Sequence, residues 1–198
     1  MSNLFYIVRH AIKEKSIGDV DITSQGIKEA EMTAHYFKEL NIDQIFSSPL
    51  QRAKHIARII SHFNHIPIIE NSCLRERANW GDIPDQTFDE FVDLWDKCTQ
   101  ERDYVPPQGD SARMAGDRLA FYLSDISLQY PESRSVIVTH GGLITDFLIN
   151  VIIESELQKV HPDFINVQTS LVKECSITIV SFQQGQFKLI DFANTSHL

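Results

Sequence analysis

Four short stretches of this sequence carry side chains that could work together: Arg9-His10, Ser47-Ser48-Pro49 with Arg52 just beyond, Leu74-Arg75-Glu76-Arg77, and His140-Gly141-Gly142. A guanidinium is permanently charged and grips an oxyanion through paired N–H bonds, so Arg9 and Arg52 suit a tetrahedral anion such as a phosphoryl group. A histidine held neutral can attack phosphorus, and a second imidazole can bind an oxygen that gains charge in the transition state. A carboxyl such as Glu76 can protonate a departing alkoxide and then take a proton from water. The glycines after His140 would open a helix, whose first N–H groups and dipole favour an anion. Phosphate-monoester hydrolysis is so slow unaided that enzymes accelerate it up to about 10²¹-fold. A site this rich in charge is proportionate to that task.

These residues can cooperate only if the chain brings them to one place. Leu4–Val8 is a short apolar run and reads as a strand. Thr23 to Leu40 reads as an amphipathic helix capped by Thr23 or Ser24, with Ile27, Ala30, Ala34 and Phe37 on one stripe. Gln44–Ser47 reads as a second strand, after which Pro49 is expected at the first position of a helix reaching about Phe63. Ala53, Ile56, Ile60 and Phe63 would face inward from it. Pro67–Ser72 reads as a third strand, and Phe88–Gln100 as a helix. Ser111 is expected to cap a long helix to about Leu128, and Ser135–Thr139 is a β-branched run suited to a buried strand. Gly142–Ile153 reads as a helix, and Ser176–Phe182 and Phe187–Phe192 as a hairpin around Gln183-Gln184-Gly185-Gln186.

Strands alternating with helices predict an α/β fold: a three-layer sandwich with a mostly parallel sheet, one antiparallel edge strand, helices on both faces and a lid insertion at about 78–110. In such sheets sites form outside the carboxyl ends of the strands. Each of the four stretches follows a predicted strand, so all four point to one edge.

At 198 residues the chain is expected to be a single domain, 1–198. The N-terminus shows no signal-peptide pattern, and no apolar run approaches the roughly 18 residues that span a bilayer. Cys73, Cys98 and Cys175 are far apart and form no CxxC pair, which predicts packing in a reducing compartment, the cytoplasm. A net charge of −9 argues against nucleic acid or an anionic membrane as partner. It leaves room for a small phosphorylated substrate in a locally cationic pocket. Nothing in the sequence bears on oligomeric state.

With these residues laid out, the sequence closely resembles the histidine phosphatase superfamily, in its phosphoglycerate-mutase-like branch. The family's Arg-His-Gly signature stands here as Arg9-His10-Ala11, its Leu-Thr-x-x-Gly element as Ile22-Thr23-Ser24-Gln25-Gly26, and its Ser-Ser-Pro-Leu-x-Arg-Ala element as residues Ser47 to Ala53. Leu74-Arg75-Glu76 and Val138-Thr139-His140-Gly141-Gly142 complete the set, in order. The resemblance implies that His10 is the nucleophile that becomes phosphohistidine. It implies that Arg9, Arg52 and His140, with Gly141, bind the phosphoryl oxygens, and that Glu76 is proton donor and then base. It implies no metal and no cofactor. The expected activity is therefore a metal-independent phosphatase acting on small phosphomonoesters through a phosphohistidine. The alternatives are mutase-type phosphoryl transfer, or a phosphatase of protein phosphohistidine or phosphotyrosine.

The sequence departs from the mutases at Ala11-Ile12-Lys13-Glu14-Lys15-Ser16, which replaces their Glu-Ser-x-Trp-Asn segment, and this favours hydrolysis. Alanine at 11 resists the positive φ that glycine permits. Asp82, Asp110 and Glu14 compete with Glu76 as carboxylates, and Arg75 and Arg77 could be surface ion pairs or extra substrate contacts. His62-Phe63-Asn64-His65 reads as a solvated helix end rather than a metal site. His55 is expected to be exposed, and Phe88, Phe91 and Trp95 to pack in the core or the lid.

Overall fold

The structure is a computed structural model, and it describes residues 2–198. Six strands form one sheet: β1 (Asn3–Arg9), β2 (Gln44–Ser47), β3 (Ile68–Glu70), β4 (Arg134–Thr139), β5 (Ile177–Gln183) and β6 (Gln186–Asn194), in the spatial order β3-β2-β4-β1-β5-β6. β3, β2, β4 and β1 are parallel. The antiparallel edge is a hairpin, in which β5 runs against β1 and β6 against β5. β5 is the strand that runs against the others, as expected, and the tight turn returns β6 beside it.

The sheet is covered on both faces, and the strands show it in their alternation. On one face Tyr6, Val8, Ile45, Val136 and Val138 pack against α1 (Ser24–Lys38) and α2 (Gln51–Asn64) through Ala30, Ala34, Phe37, Ala53, Ile56 and Ile60. On the other face Phe5, Ile7, Phe46 and Ile137 meet α4 (Ala112–Gln129) and α5 (Gly141–Val151) through Leu119, Leu123, Leu143 and Phe147. α3 (Phe88–Gln100) is the lid helix, opened by a capping box in which Thr87 and Glu90 bond each other's backbone N–H. Two further helices, α6 (Glu154–Val160) and α7 (Phe164–Leu171), were not expected from the sequence. Both are short, and they form because Leu157 and Phe164 are buried against the core rather than through a long periodic stripe.

The boundary that differs most consequentially is the start of α2. Pro49 lies outside it, and Leu50 is the cap residue. Ser48 Oγ accepts from the Leu50 N–H at 3.3 Å and forms a turn that delays the helix. The exposed Gln51 N–H then donates to Asp19 Oδ1 at 2.8 Å, a cap supplied from a distant loop.

Candidate active site

β1, β4 and β2 are neighbours, so their carboxyl ends sit side by side. His10 follows β1 and is 7% exposed, and His140 follows β4 and is fully buried. Their ring centroids are 5.2 Å apart. The His10 backbone N–H donates to Thr139 O at 2.9 Å and the Ser48 N–H to Val138 O at 3.0 Å, extending the ladders past the strand ends and locking the loops. Arg52, in the first turn of α2, is 3% exposed.

The side-chain bonds assign the protons. His10 Nδ1 lies 2.8 Å from Ala11 O, a carbonyl that can only accept, so Nδ1 carries the proton and Nε2 holds a lone pair. Arg52 Nε donates to that Nε2 at 3.3 Å. His140 Nε2 lies 2.8 Å from Ser48 Oγ. Ser48 Oγ also accepts from the Leu50 N–H; in the tautomer in which its hydroxyl donates to Nε2, the His140 ring proton is on Nδ1. Burial holds His10 well below the ordinary histidine range, and Arg52 and Arg9 push it the same way. Burial, then Arg52, His10 and Arg9, do the same for His140. Both imidazoles are neutral at pH 7.

Glu76 is half-buried, and both its oxygens are held by backbone. Oε1 accepts from the Arg77 N–H at 3.0 Å, and Oε2 from the Gly142 N–H at 3.0 Å. The Gly142 amide, expected to serve an anion, is therefore engaged by Glu76, while Gly141 lines the cleft. Arg9 is held by Val172 O and by Glu174 Oε1, the latter at 2.6 Å. Four buried nitrogens have no hydrogen-bond partner among the described residues, and three of them belong to this one place: Arg9 Nε, Arg52 Nη1 and His140 Nδ1, the fourth being Arg77 Nε. Buried N–H donors are rarely left unpaired, and a cluster of them fits an oxyanion.

Arg9, His10, Arg52 and Glu76 line a cleft of about 490 Å³, and the fully buried His140 lies beneath it. One wall is the 12–18 loop with Lys13, whose ammonium is depressed by burial and by Arg52. The other wall is the lid. Trp80, Phe88, Phe91 and Trp95 form a run of aromatic contacts with centroids 5.1, 6.4 and 6.0 Å apart. The two walls touch where the Gly18 N–H donates to Trp80 O at 2.8 Å. Ala11 is not strained, since its φ is not among the positive values. A Cβ on Gly26 would stand 3.1 Å from the Ala11 methyl and 2.6 Å from Ile12 O, so the absent side chain at 26 makes the room for alanine.

The competing carboxylates are elsewhere or otherwise engaged. Asp110 pairs with Arg118 at 2.8 Å, Asp82 lies 3.6 Å from Arg75, and Glu14 is exposed. Arg77 is 2% exposed and bonds Asp146, so it is neither a surface pair nor a substrate contact. His55 is half-buried rather than exposed because Asp21 holds it at 2.8 Å. His62 and His65 are exposed at the end of α2, where His65 takes a left-handed conformation as the cap. Sequence reasoning missed Asp19, Glu174 and Asp146. Each reaches its partner through tertiary structure, with no local motif to mark it.

Two histidines, two arginines and a carboxyl at the carboxyl edge of a sheet of this order are a set that could hold a phosphoryl group. The chain belongs to the histidine phosphatase superfamily (branch 1), whose model matches residues 5–195. It is 29% identical over 199 residues to the uncharacterized phosphatase PhoE of Bacillus subtilis, covering 97% of this chain and 95% of that protein. It is 30% identical over 176 residues to a 2,3-bisphosphoglycerate-dependent phosphoglycerate mutase of Cytophaga hutchinsonii, covering 81% and 79%. The fold matches a mycobacterial glucosyl-3-phosphoglycerate phosphatase with a TM-score of 0.75 at 18% identity, covering 98% of this chain and 99% of that one. It also matches an Entamoeba histolytica phosphoserine phosphatase in complex with 3-phosphoglyceric acid, with a TM-score of 0.73 at 23% identity over 98% of each chain.

Proposed function

We propose that this protein is a metal-independent phosphatase that hydrolyses small organic phosphomonoesters through a phosphohistidine on His10. The carrying observation is the trio of unpartnered nitrogens, Arg9 Nε, Arg52 Nη1 and His140 Nδ1, arranged around a neutral histidine. The His10 Nε2 lone pair attacks phosphorus as the bond to the leaving oxygen breaks. The long Arg52 Nε bond is given up, and the guanidinium turns to the phosphoryl oxygens. Glu76 donates its proton to the leaving alkoxide. It then accepts one from water, whose oxygen attacks phosphorus while the P–N bond breaks, releasing phosphate and neutral His10.

The mutase reading draws on the name of the Cytophaga relative. Against it stands the loop at 12–18, which carries Lys13 and Lys15 where mutases carry their substrate segment. A protein substrate is disfavoured by the lid, whose aromatic wall meets the opposite loop at Gly18. Incubation with 3-phosphoglycerate, with and without EDTA, tests the proposal. Release of inorganic phosphate in both conditions, without isomer exchange, is expected. Isomer exchange without net phosphate release, or activity lost to EDTA and restored by a divalent metal, would overturn it.

A further inference from the structure

Asp146 is fully buried on α5, in the wall behind the cleft, and takes no part in the chemistry above. Arg77 Nη1 donates to both its oxygens, at 3.1 and 2.9 Å. Arg102 adds a donor to Asp146 Oδ1 at 3.4 Å and another to Asp146 O at 3.1 Å. The other end of the Arg77 fork donates to Trp95 O at 3.1 Å and Thr99 Oγ1 at 2.5 Å, and its guanidinium lies 3.8 Å from the Trp95 ring centroid. One arginine thus ties the segment after Glu76, the lid helix and α5 together.

The connection matters because of what holds Glu76. Its Oε1 is bonded by the Arg77 N–H and its Oε2 by the Gly142 N–H. Gly142 lies one helical turn before Asp146 on α5. The Arg77–Asp146 pair therefore closes a ring: Glu76 to the Arg77 main chain, the Arg77 side chain to Asp146, α5 back to Gly142, and Gly142 to Glu76. Each half of the grip on the carboxyl is fixed relative to the other by this buried pair. A buried ion pair adds little net stability over a well-packed apolar pair, so its value here lies in geometry.

We propose that Asp146, acting through Arg77, is the positioning residue that sets the Glu76 carboxyl for proton transfer to the leaving group. The proposal rests on the acid role given to Glu76. It predicts a loss selective for substrates whose leaving oxygen needs a proton.

The test compares wild type with Asp146→Asn, and with the double variant Asp146→Asn/Arg77→Gln, which removes both charges of the buried pair, in case Arg77 left without its partner prevents folding. kcat and KM are measured for p-nitrophenyl phosphate and for β-glycerophosphate, with thermal unfolding alongside. With a folded variant, kcat for the alkyl phosphate should fall at least about tenfold, while kcat for the nitrophenyl ester and both KM values stay within about threefold. Equal losses on both substrates, a change confined to KM, or no change would overturn the proposal. Glu76→Gln is run beside them. If it shows the leaving-group selectivity and the Asp146 variants do not, only the positioning role fails. If Glu76→Gln shows none, the acid role fails and takes the positioning role with it.

Discussion

Gly142 is where helix, lid and acid meet, and Gly142→Ala should separate activity from stability. A Cβ built there stands 2.6 Å from Trp95 Cη2 and Cζ2 and 2.9 Å from Glu76 Oε1. Ordinary carbon contact begins near 3.4 Å, so the Trp95 ring must retreat by about 0.8 Å or the start of α5 must shift by as much. Overpacking of this kind costs about 1–3 kcal/mol. Replacing glycine by alanine in a helix returns up to about 1 kcal/mol, so the net loss should lie between about zero and about 3 kcal/mol. The displaced groups are the lid tryptophan and the donor to Glu76 Oε2, and a misplacement near 1 Å can cost about 100-fold in rate. Steady-state kinetics on β-glycerophosphate together with urea unfolding measures both. A stable variant that retains full kcat would refute the view that Gly142 holds the acid in place.

His10→Ala should abolish turnover of p-nitrophenyl phosphate while leaving the circular dichroism spectrum and unfolding midpoint close to wild type; retained turnover would remove the nucleophile from the scheme. His10 and His140 are both held neutral by burial, so below pH 6.5 the unfolded chain binds protons that the folded protein refuses. Their contribution is complete above pH 6.5 and is lost as pH falls below it, by up to about 1.4 kcal/mol per pH unit for each. Urea unfolding of wild type and His140→Gln between pH 7.5 and about 5.5 should give curves that converge toward acid, and parallel curves would count against a neutral His140. Asp19→Ala removes the acceptor for the Gln51 N–H and should lower stability by about 1 kcal/mol, read as a lower urea midpoint at unchanged slope.

Much of the frame was legible along the chain because its signals are local. The apolar run Leu4–Val8, the stripe of Ala30, Ala34 and Phe37, the Thr23 and Ser111 caps and the extent of α3 over Phe88–Gln100 all depend on residues within a few positions of one another. α6 and α7 were not legible, since their burial is decided by what packs on them. The delayed start of α2 was hidden for a related reason: the group that satisfies its first N–H is Asp19.

The sequence by itself determined the chemical inventory and the edge of the sheet to which it is delivered: Arg9 and His10 after β1, Arg52 after β2, Glu76 after β3, His140 after β4. Motif order and strand periodicity suffice for that, because a side chain that follows a strand can emerge only at the strand's end. Tertiary structure decided how the inventory is divided. Glu174 and Val172 take one end of Arg9 and leave its Nε, and the Gly142 amide goes to Glu76 rather than to an anion. Arg77 turns inward to Asp146, while its neighbour Glu76 faces the cleft. Such choices rest on burial and on hydrogen-bond partners far apart in the chain, and these exist only once the layers have packed.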